Sequence, residues 1–307
     1  MTGKNKDLCL YMQSLIPDHI FIQQLSHPLL EDKKIKLSIA RLDLVHPVIS
    51  GNKLFKLRYY LEEALKNKLS IRTFGGAYSN HLVATAYACA EAGISCTGIV
   101  RGERPAHLSH TLLHCIDYGM KLQFVSREEY TELSALEDMD AAAPEMHIPE
   151  GGFGFLGAKG AADILPLIQQ NAPTYICCAV GTATTLSGLM MKRSENRFIA
   201  VPVLKDMYDI THRIEKLVGP VDHTGLTIWD DYHFGGYAKY NAVLLDFMNA
   251  FYTTHSIPLD FVYTAKMMFA VMDNIEKNYF KAGDNIVCLH TGGLQGNDSL
   301  KPGTLIF

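Results

Sequence analysis

The sequence has no excess of basic residues: 28 Lys and Arg stand against 32 Asp and Glu, for a formal net charge of -4. A footprint for nucleic acid is therefore missing, and no long run of like charge marks an interaction tail. No apolar stretch approaches the roughly 18–20 residues that a membrane span requires. The opening segment, MTGKNKDLCLYMQSLI, has neither a long apolar core nor a small-residue cleavage site, so no secretory leader is expected. No CxxC pair occurs among the seven cysteines. Cys89, Cys96, Cys177, Cys178 and Cys288 lie in apolar runs, where Cys behaves as a small buried hydrophobe. That usage fits reduced thiols in the cytoplasm rather than a disulfide framework. The segment at residues 179–189 matches neither nucleotide fingerprint, GxxxxGKS/T or GxGxxG, and the metalloprotease signature HExxH is absent.

What is present is a globular composition, 48% hydrophobic and 20% charged over 307 residues, enough for one large or two medium domains. Short apolar runs alternate with helical patterns. Strands are expected at residues 71–74, 96–100, 121–125, 175–180, 198–204 and 285–289. Helices are expected at 81–91, 108–118, 158–170, 185–192, 207–217, 241–254 and 265–280. The run Tyr-Ile-Cys-Cys-Ala-Val is continuously apolar, as a parallel strand covered on both faces must be. The alternation implies an α/β fold with parallel sheets flanked by helices. Residues 134–149, rich in Ala and acids, read as a surface connection near a domain boundary.

Four segments can carry chemistry. In SGNKLFKLRYY, apolar Leu54, Leu57, Leu61, Ala64 and Leu65 recur at helical spacing, so a helix starts near Lys53 after the Gly51-Asn52 turn. A lysine at a helix start is poorly placed for the dipole. It reads either as an ordinary surface lysine or as a Schiff-base lysine whose neutral amine attacks an aldehyde. In FGGAYSNH, two glycines end a strand before a helix N-terminus, where free N–H groups suit a carboxylate. A helix cap and tight turn account for Ser79 or Asn80 equally well. In AVGTATTLSGL, a strand runs into Gly181 and a series of hydroxylated residues, either a phosphate cradle or a plain strand-helix turn. PLDFVYTAK and CLHTGG complete the set; Thr264 can simply cap the helix that follows it. His107, His110 and His114 would share a helical face, a possible metal site or a solvated histidine face.

Taken in order, these pieces resemble the pyridoxal-phosphate (PLP) dependent family that contains 1-aminocyclopropane-1-carboxylate (ACC) deaminase and D-cysteine desulfhydrase. The resemblance rests on Arg41 and Asp43, Gly51-Asn52-Lys53, Gly75 to His81, Pro149 to Gly152, the loop after Ala179, Tyr263-Thr264 and His290-Thr291-Gly292-Gly293. It implies a two-domain PLP fold of type II, tryptophan-synthase-β-like. Residues 56–160 would form a smaller α/β domain inserted into a larger PLP-binding domain of residues 1–55 and 161–307. It implies that Lys53 carries PLP, that Asn80 bonds the ring O3′, and that Gly181, Thr182, Ala183, Thr184 and Thr185 hold the phosphate. Thr264 would face the pyridine nitrogen, with Thr291 also at the cofactor. Ser79 would lie beside the substrate carboxylate in a pocket with Tyr78, Asn80 and His81, while Tyr237 and Tyr263 line the reactive side. Partners would be a small amino acid and a second copy of the chain, with no nucleic acid and no membrane.

Two departures stand out. Ala183 and Thr184 replace the glycines usual in the phosphate loop, which disfavours any φ > 0 there. Tyr78 stands where the family commonly has Gln. Thr264 and Thr291 match the desulfhydrase-like pattern rather than the Glu and Leu of ACC deaminases. A neutral hydroxyl, unlike a carboxylate, does not favour a protonated pyridine. The expected reaction is β-elimination from a small amino acid such as D-cysteine, giving pyruvate, ammonia and sulfide. ACC ring opening is the alternative within the family. A PLP-binding protein with little catalysis and a nucleotide-binding protein without PLP are the readings outside it.

Overall fold

The computed structural model describes residues 17–135, 144–192 and 195–307. The opening segment weighed above as a leader, with Cys9, lies outside the described residues. Among those described, the strands are β1 (Ile22–Gln24), β2 (Lys36–Arg41), β3 (Ser70–Gly75), β4 (Cys96–Arg101), β5 (Lys121–Val125), β6 (Glu145–Ile148), β7 (Tyr175–Val180), β8 (Arg197–Pro202), β9 (Leu226–Ile228) and β10 (Asn285–His290). The helices are α1 (Pro28–Lys33), α2 (Asn52–Asn67), α3 (Asn80–Ala92), α4 (His110–Asp117), α5 (Arg127–Ala135), α6 (Phe155–Ala161), α7 (Ile164–Gln169), α8 (Thr184–Met191), α9 (Ile210–Val218), α10 (Ala242–His255) and α11 (Thr264–Glu276).

Two sheets result. One has the order β1-β2-β10-β7-β8-β9 and is parallel except for β1; the other has the order β5-β4-β3-β6 and is parallel throughout. Alternation along the central strands explains why their sequences are apolar at every position. Ile176, Cys178 and Val180 of β7 enter one buried cluster with Val287 and Leu289. Tyr175, Cys177 and Ala179 enter a second cluster on the opposite face with Ile286 and Cys288. Burial on both faces of a parallel sheet supplies the hydrophobic driving force, about 25 cal/mol per Å² of apolar area removed from water. The six described cysteines are free and buried.

Close packing beside the first sheet depends on missing side chains. A Cβ on Gly160 would stand 1.9 Å from Phe55 O, one on Gly157 would stand 2.0 Å from Gly152 O, and one on Gly188 would stand 2.2 Å from Ala158 O. Helices α2, α6 and α8 therefore meet backbone to backbone. This contact fixes Lys53, at the start of α2, relative to the loop that precedes α8.

The structure corrects several expectations. Residues 158–170 do not form one helix: α6 ends at Ala161 and α7 starts at Ile164. Pro166 lacks an N–H and would clash with the carbonyl four residues back, so it is tolerated only in a first helical turn. The supposed connection at 134–149 contains β6, which pairs in parallel with β3 from Ser70↔Glu145 to Thr73↔Ile148; its residues 136–143 lie outside the described set. Strands β1, β2, β6 and β9 and helices α1 and α5 were not expected. His107 precedes α4, which Ser109 caps by accepting from Leu112 N, so the three histidines do not share one helical face.

Candidate active site

The C-terminal ends of β3, β4, β7 and β10 converge with the N-termini of α2, α3, α8 and α11. Two open cavities lie at this convergence, a smaller and a larger one, of about 510 Å³ and about 870 Å³ with the solvent at their mouths included. Lys53, Asn80, Gly151 and Tyr263 line both, so the two spaces meet at the Lys53 side chain. Ligands of open parallel sheets bind beyond such strand ends.

Lys53 is placed by a turn that only glycine can make. Gly51 has φ 73°, and a Cβ there would stand 1.7 Å from Thr291 O. Asn52 N donates to Thr291 O at 3.2 Å, and Asn52 Nδ2 donates to Thr185 Oγ1 at 2.8 Å. Asn52 Oδ1 accepts from Lys53 Nζ at 3.0 Å, so one buried amide joins the lysine to the loop before α8. Beneath the turn, Arg41 grips Asp43 through Nε at 2.9 Å and Nη2 at 2.6 Å. His290 Nδ1 lies 3.4 Å from the same carboxylate, and Ser50 Oγ donates to Asp43 O at 3.2 Å. Burial pushes the Lys53 amine down to about 8, against the opposing charge of Asp260. A lysine so shifted is partly neutral, and hence nucleophilic, near neutral pH.

The smaller cavity is bordered by Gly181, Thr182, Ala183, Thr184 and Thr185, and by Thr291 across from them. Ala183 sits at φ 65° and ψ -6°, in the left-handed region, so the loop keeps the backbone turn without glycine. Thr182 Oγ1 and Thr184 Oγ1 lie 2.9 Å apart. Lys56, one helical turn beyond Lys53, is buried and lines the same cavity. Its Nζ donates to Gly151 O at 3.1 Å, and no carboxylate pairs with it among the described residues. Burial, reinforced by the charge of Lys53, holds its amine well below the usual lysine range.

The larger cavity is lined by Tyr78, Ser79, Asn80, His81, Tyr237 and Tyr263 together with Arg101, Glu150 and Asp260. Ser79 caps α3, accepting from Leu82 N at 3.3 Å, and the other first-turn N–H groups of a helix have no partner within it. Asn80 Nδ2 donates to Gly293 O at 2.9 Å, whereas its Oδ1 is buried with no partner. His81 turns Nε2 to Thr73 Oγ1 at 2.8 Å; burial, then the charges of Lys53 and Lys56, keep this ring neutral. The Tyr237 and Tyr263 rings meet edge to face with centroids 6.2 Å apart. Tyr237 is 45% exposed as a residue and lines the cavity, and burial raises its hydroxyl above the usual range. Burial, then Tyr237, raise the Tyr263 hydroxyl well above the usual range. The loop before Tyr237 is tied down by buried Lys266, whose Nζ donates to His233 O at 2.8 Å and Gly236 O at 2.7 Å.

Thr264 is the residue placed differently from expectation. It is fully buried, its hydroxyl donates to the Asp260 carboxylate at 2.7 Å, and it borders neither cavity. Asp260 also accepts from the backbone N–H groups of Val262, Tyr263 and Thr264 at 3.0, 2.7 and 3.0 Å. The carboxylate rather than the threonine reaches the cavity wall. Lys56, Arg101, Glu150 and Asp260 escaped sequence reading because charged residues are ordinarily solvated. Lys56 had one signal: it shares a helical face with Lys53 at i, i+3.

Comparison with known proteins gives consistent matches. The family model described as pyridoxal-phosphate dependent enzyme matches residues 25–292. A Thermotoga maritima protein named "Putative 1-aminocyclopropane-1-carboxylate deaminase" is 32% identical over 90% of this chain and 93% of its own length. A solved structure described as an ACC deaminase homologue superposes with a TM-score of 0.77 at 26% identity, covering 97% of each chain. Cysteine synthase from Entamoeba histolytica shares the fold, with a TM-score of 0.69 at 14% identity over 94% of this chain and 88% of that one.

Proposed function

The chain belongs to the pyridoxal-phosphate dependent enzymes, and from that premise we propose that Lys53 carries the cofactor in a deaminating lyase acting on a small amino acid. The residues present fit the group. The smaller cavity joins a helix N-terminus, a row of hydroxyls and a buried amine without a carboxylate partner, a donor set suited to a phosphate. The unpartnered Asn80 Oδ1 is a polar atom left for a ligand to meet. In this reading Gly181, Thr182, Ala183, Thr184 and Thr185 hold the phosphate with Lys56, and Asn80 holds the ring hydroxyl. Thr291, which borders the smaller cavity, would also meet the cofactor, while Thr264 would act through the Asp260 carboxylate it bonds. The sheets β5-β4-β3-β6 and β1-β2-β10-β7-β8-β9 would be the cores of a smaller domain, residues 56–160, and a larger one. A homodimer is the working assembly, checked by light scattering on the eluting peak.

PLP, when bound, supplies a sink for the electron pair left at Cα. The chain's own residues do the rest. The N-terminus of α3, with Ser79 and Asn80, orients the substrate carboxylate. Lys53, its amine brought down to about 8 by burial, takes the α-proton. Tyr237 and Tyr263, kept protonated by burial, offer hydroxyls to the departing group. The observation that carries this reading is the position of Lys53 where both cavities meet.

The specific reaction put first is β-elimination from D-cysteine to pyruvate, ammonia and sulfide, because Thr264 and Thr291 stand at the positions where the resemblance gives ACC deaminases Glu and Leu. The named relative favours a second reading, opening of ACC to 2-oxobutanoate and ammonia. Purified holoenzyme offered each substrate, with the keto acid identified, separates them; turnover of ACC without turnover of D-cysteine reverses the order. Borohydride fixation followed by peptide mapping tests the attachment. The tag is expected on Lys53 and is expected to vanish in Lys53→Ala.

A further inference from the structure

Four charged side chains line the larger cavity: Lys53, Arg101, Glu150 and Asp260. Three of them are already engaged. Lys53 Nζ bonds Asn52, Asp260 accepts three backbone N–H groups and a hydroxyl, and Glu150 Oε2 accepts from Tyr130 Oη at 3.0 Å. Arg101, the last residue of β4, is the exception. Its guanidinium has no hydrogen-bond acceptor and no carboxylate partner among the described residues.

The guanidinium is nevertheless held. It lies 5.5 Å from the Tyr130 ring centroid, and Tyr130 is itself buried against Phe74, with ring centroids 5.7 Å apart. Gly76, in the turn before Ser79, lies beside it: a Cβ there would stand 3.9 Å from Arg101 Nη2, an ordinary contact. Its charge is felt inside the cavity, because burial raises the Tyr237 hydroxyl, Glu150 raises it further and Arg101 lowers it. The same Tyr130 thus stacks on the cation and donates to Glu150, fixing both at the cavity rim. Arg101 is exposed as a residue, yet its guanidinium rests on a buried ring at the wall of the cavity. A planar fork of donors facing an amino-acid pocket matches a carboxylate.

We propose that Arg101 binds a second, distal carboxylate of the substrate, so that the site prefers amino acids whose β-substituent ends in an anion over neutral ones of the same size. The inference deepens the reading in which the first carboxylate lies at the start of α3, and it rests on that reading. Arg101 is then a specificity residue, remote from the α-proton. In an elimination, the leaving group would be one that carries a carboxylate, such as the thiol released from an S-carboxymethyl cysteine.

The test uses holoenzyme and two isosteres, aspartate and asparagine, in both enantiomers, with dissociation constants from calorimetry. Wild type is expected to bind one enantiomer of aspartate about tenfold more tightly than the matching asparagine, the ratio for one charge-assisted contact of about 1.4 kcal/mol. Arg101→Gln is expected to bring the ratio near one while leaving asparagine within about twofold, and Arg101→Lys to restore part of it. A ratio near one in wild type, no measurable aspartate binding, or an equal loss for both ligands in Arg101→Gln overturns the proposal. Turnover is scored separately. An Arg101-dependent ratio with no keto acid from any amino acid keeps the anion handle and removes the deaminase reading; D-cysteine turnover with a ratio near one does the reverse.

Discussion

Lys53 and Ala183 show how much one residue's surroundings change its chemistry. With the Lys53 amine at about 8, the neutral fraction available to attack an aldehyde falls tenfold for each pH unit below that value. Reconstitution of apoenzyme with PLP, followed by absorbance, is expected to accelerate tenfold per unit up to about pH 8 and then level off. Asp260 opposes the burial that lowers this amine. Asp260→Asn is therefore expected to move the midpoint to lower pH, while the asparagine still caps the start of α11; an unmoved or raised midpoint contradicts the assignment. Ala183, at φ 65°, holds a conformation that costs an L-residue roughly 1 kcal/mol relative to glycine. Ala183→Gly is expected to raise stability by about 0.5–1 kcal/mol in a denaturant melt without loss of phosphate affinity.

Among elements, the helix cluster beside the first sheet decides whether the site exists. Helices α2, α6 and α8 approach so closely that a methyl on Gly188 would stand 2.2 Å from a backbone oxygen, which cannot rotate away. Gly188→Ala is expected to destabilise by about 1–3 kcal/mol through overpacking, read as a lower denaturant midpoint. It is also expected to weaken PLP binding, because α8 carries the cradle at its N-terminus. A variant of normal stability would show that the helices can part at little cost. The elements legible in sequence were those with an unmixed pattern. β7 was readable to the residue because each position is apolar, and α3 because it is apolar on nearly all sides between a serine cap and Gly93. β6 was missed because its four residues, Glu-Met-His-Ile, sit at a sheet edge where half the surroundings are polar. α5 was missed because REEYTELSA carries only a short apolar face.

For the whole molecule, both sheets contribute to one cleft, so a bound cofactor ties them together. Any ligand held by the native state alone stabilises it by about 2.7 kcal/mol at a hundred times its dissociation constant. For a chain of 307 residues this is about 4 °C in Tm. Removal of PLP is expected to lower Tm by at least that much, and added PLP to restore it in wild type more than in Lys53→Ala. A Tm indifferent to PLP would mean that the cofactor does not bridge the two sheets.

Local patterning alone determined the α/β class, most helices and strands, and the ordered motifs from Gly51-Asn52-Lys53 to His290-Thr291, because periodicity, caps and turn glycines are properties of neighbouring residues. Tertiary structure decided which charged side chains are withdrawn from water. Lys56 and Asp260, both buried, read in sequence as ordinary surface groups, and Thr264 as a residue at the cavity. Only the packing of distant segments sets burial and the distance between charges, and these two quantities give an amine or a carboxylate its role.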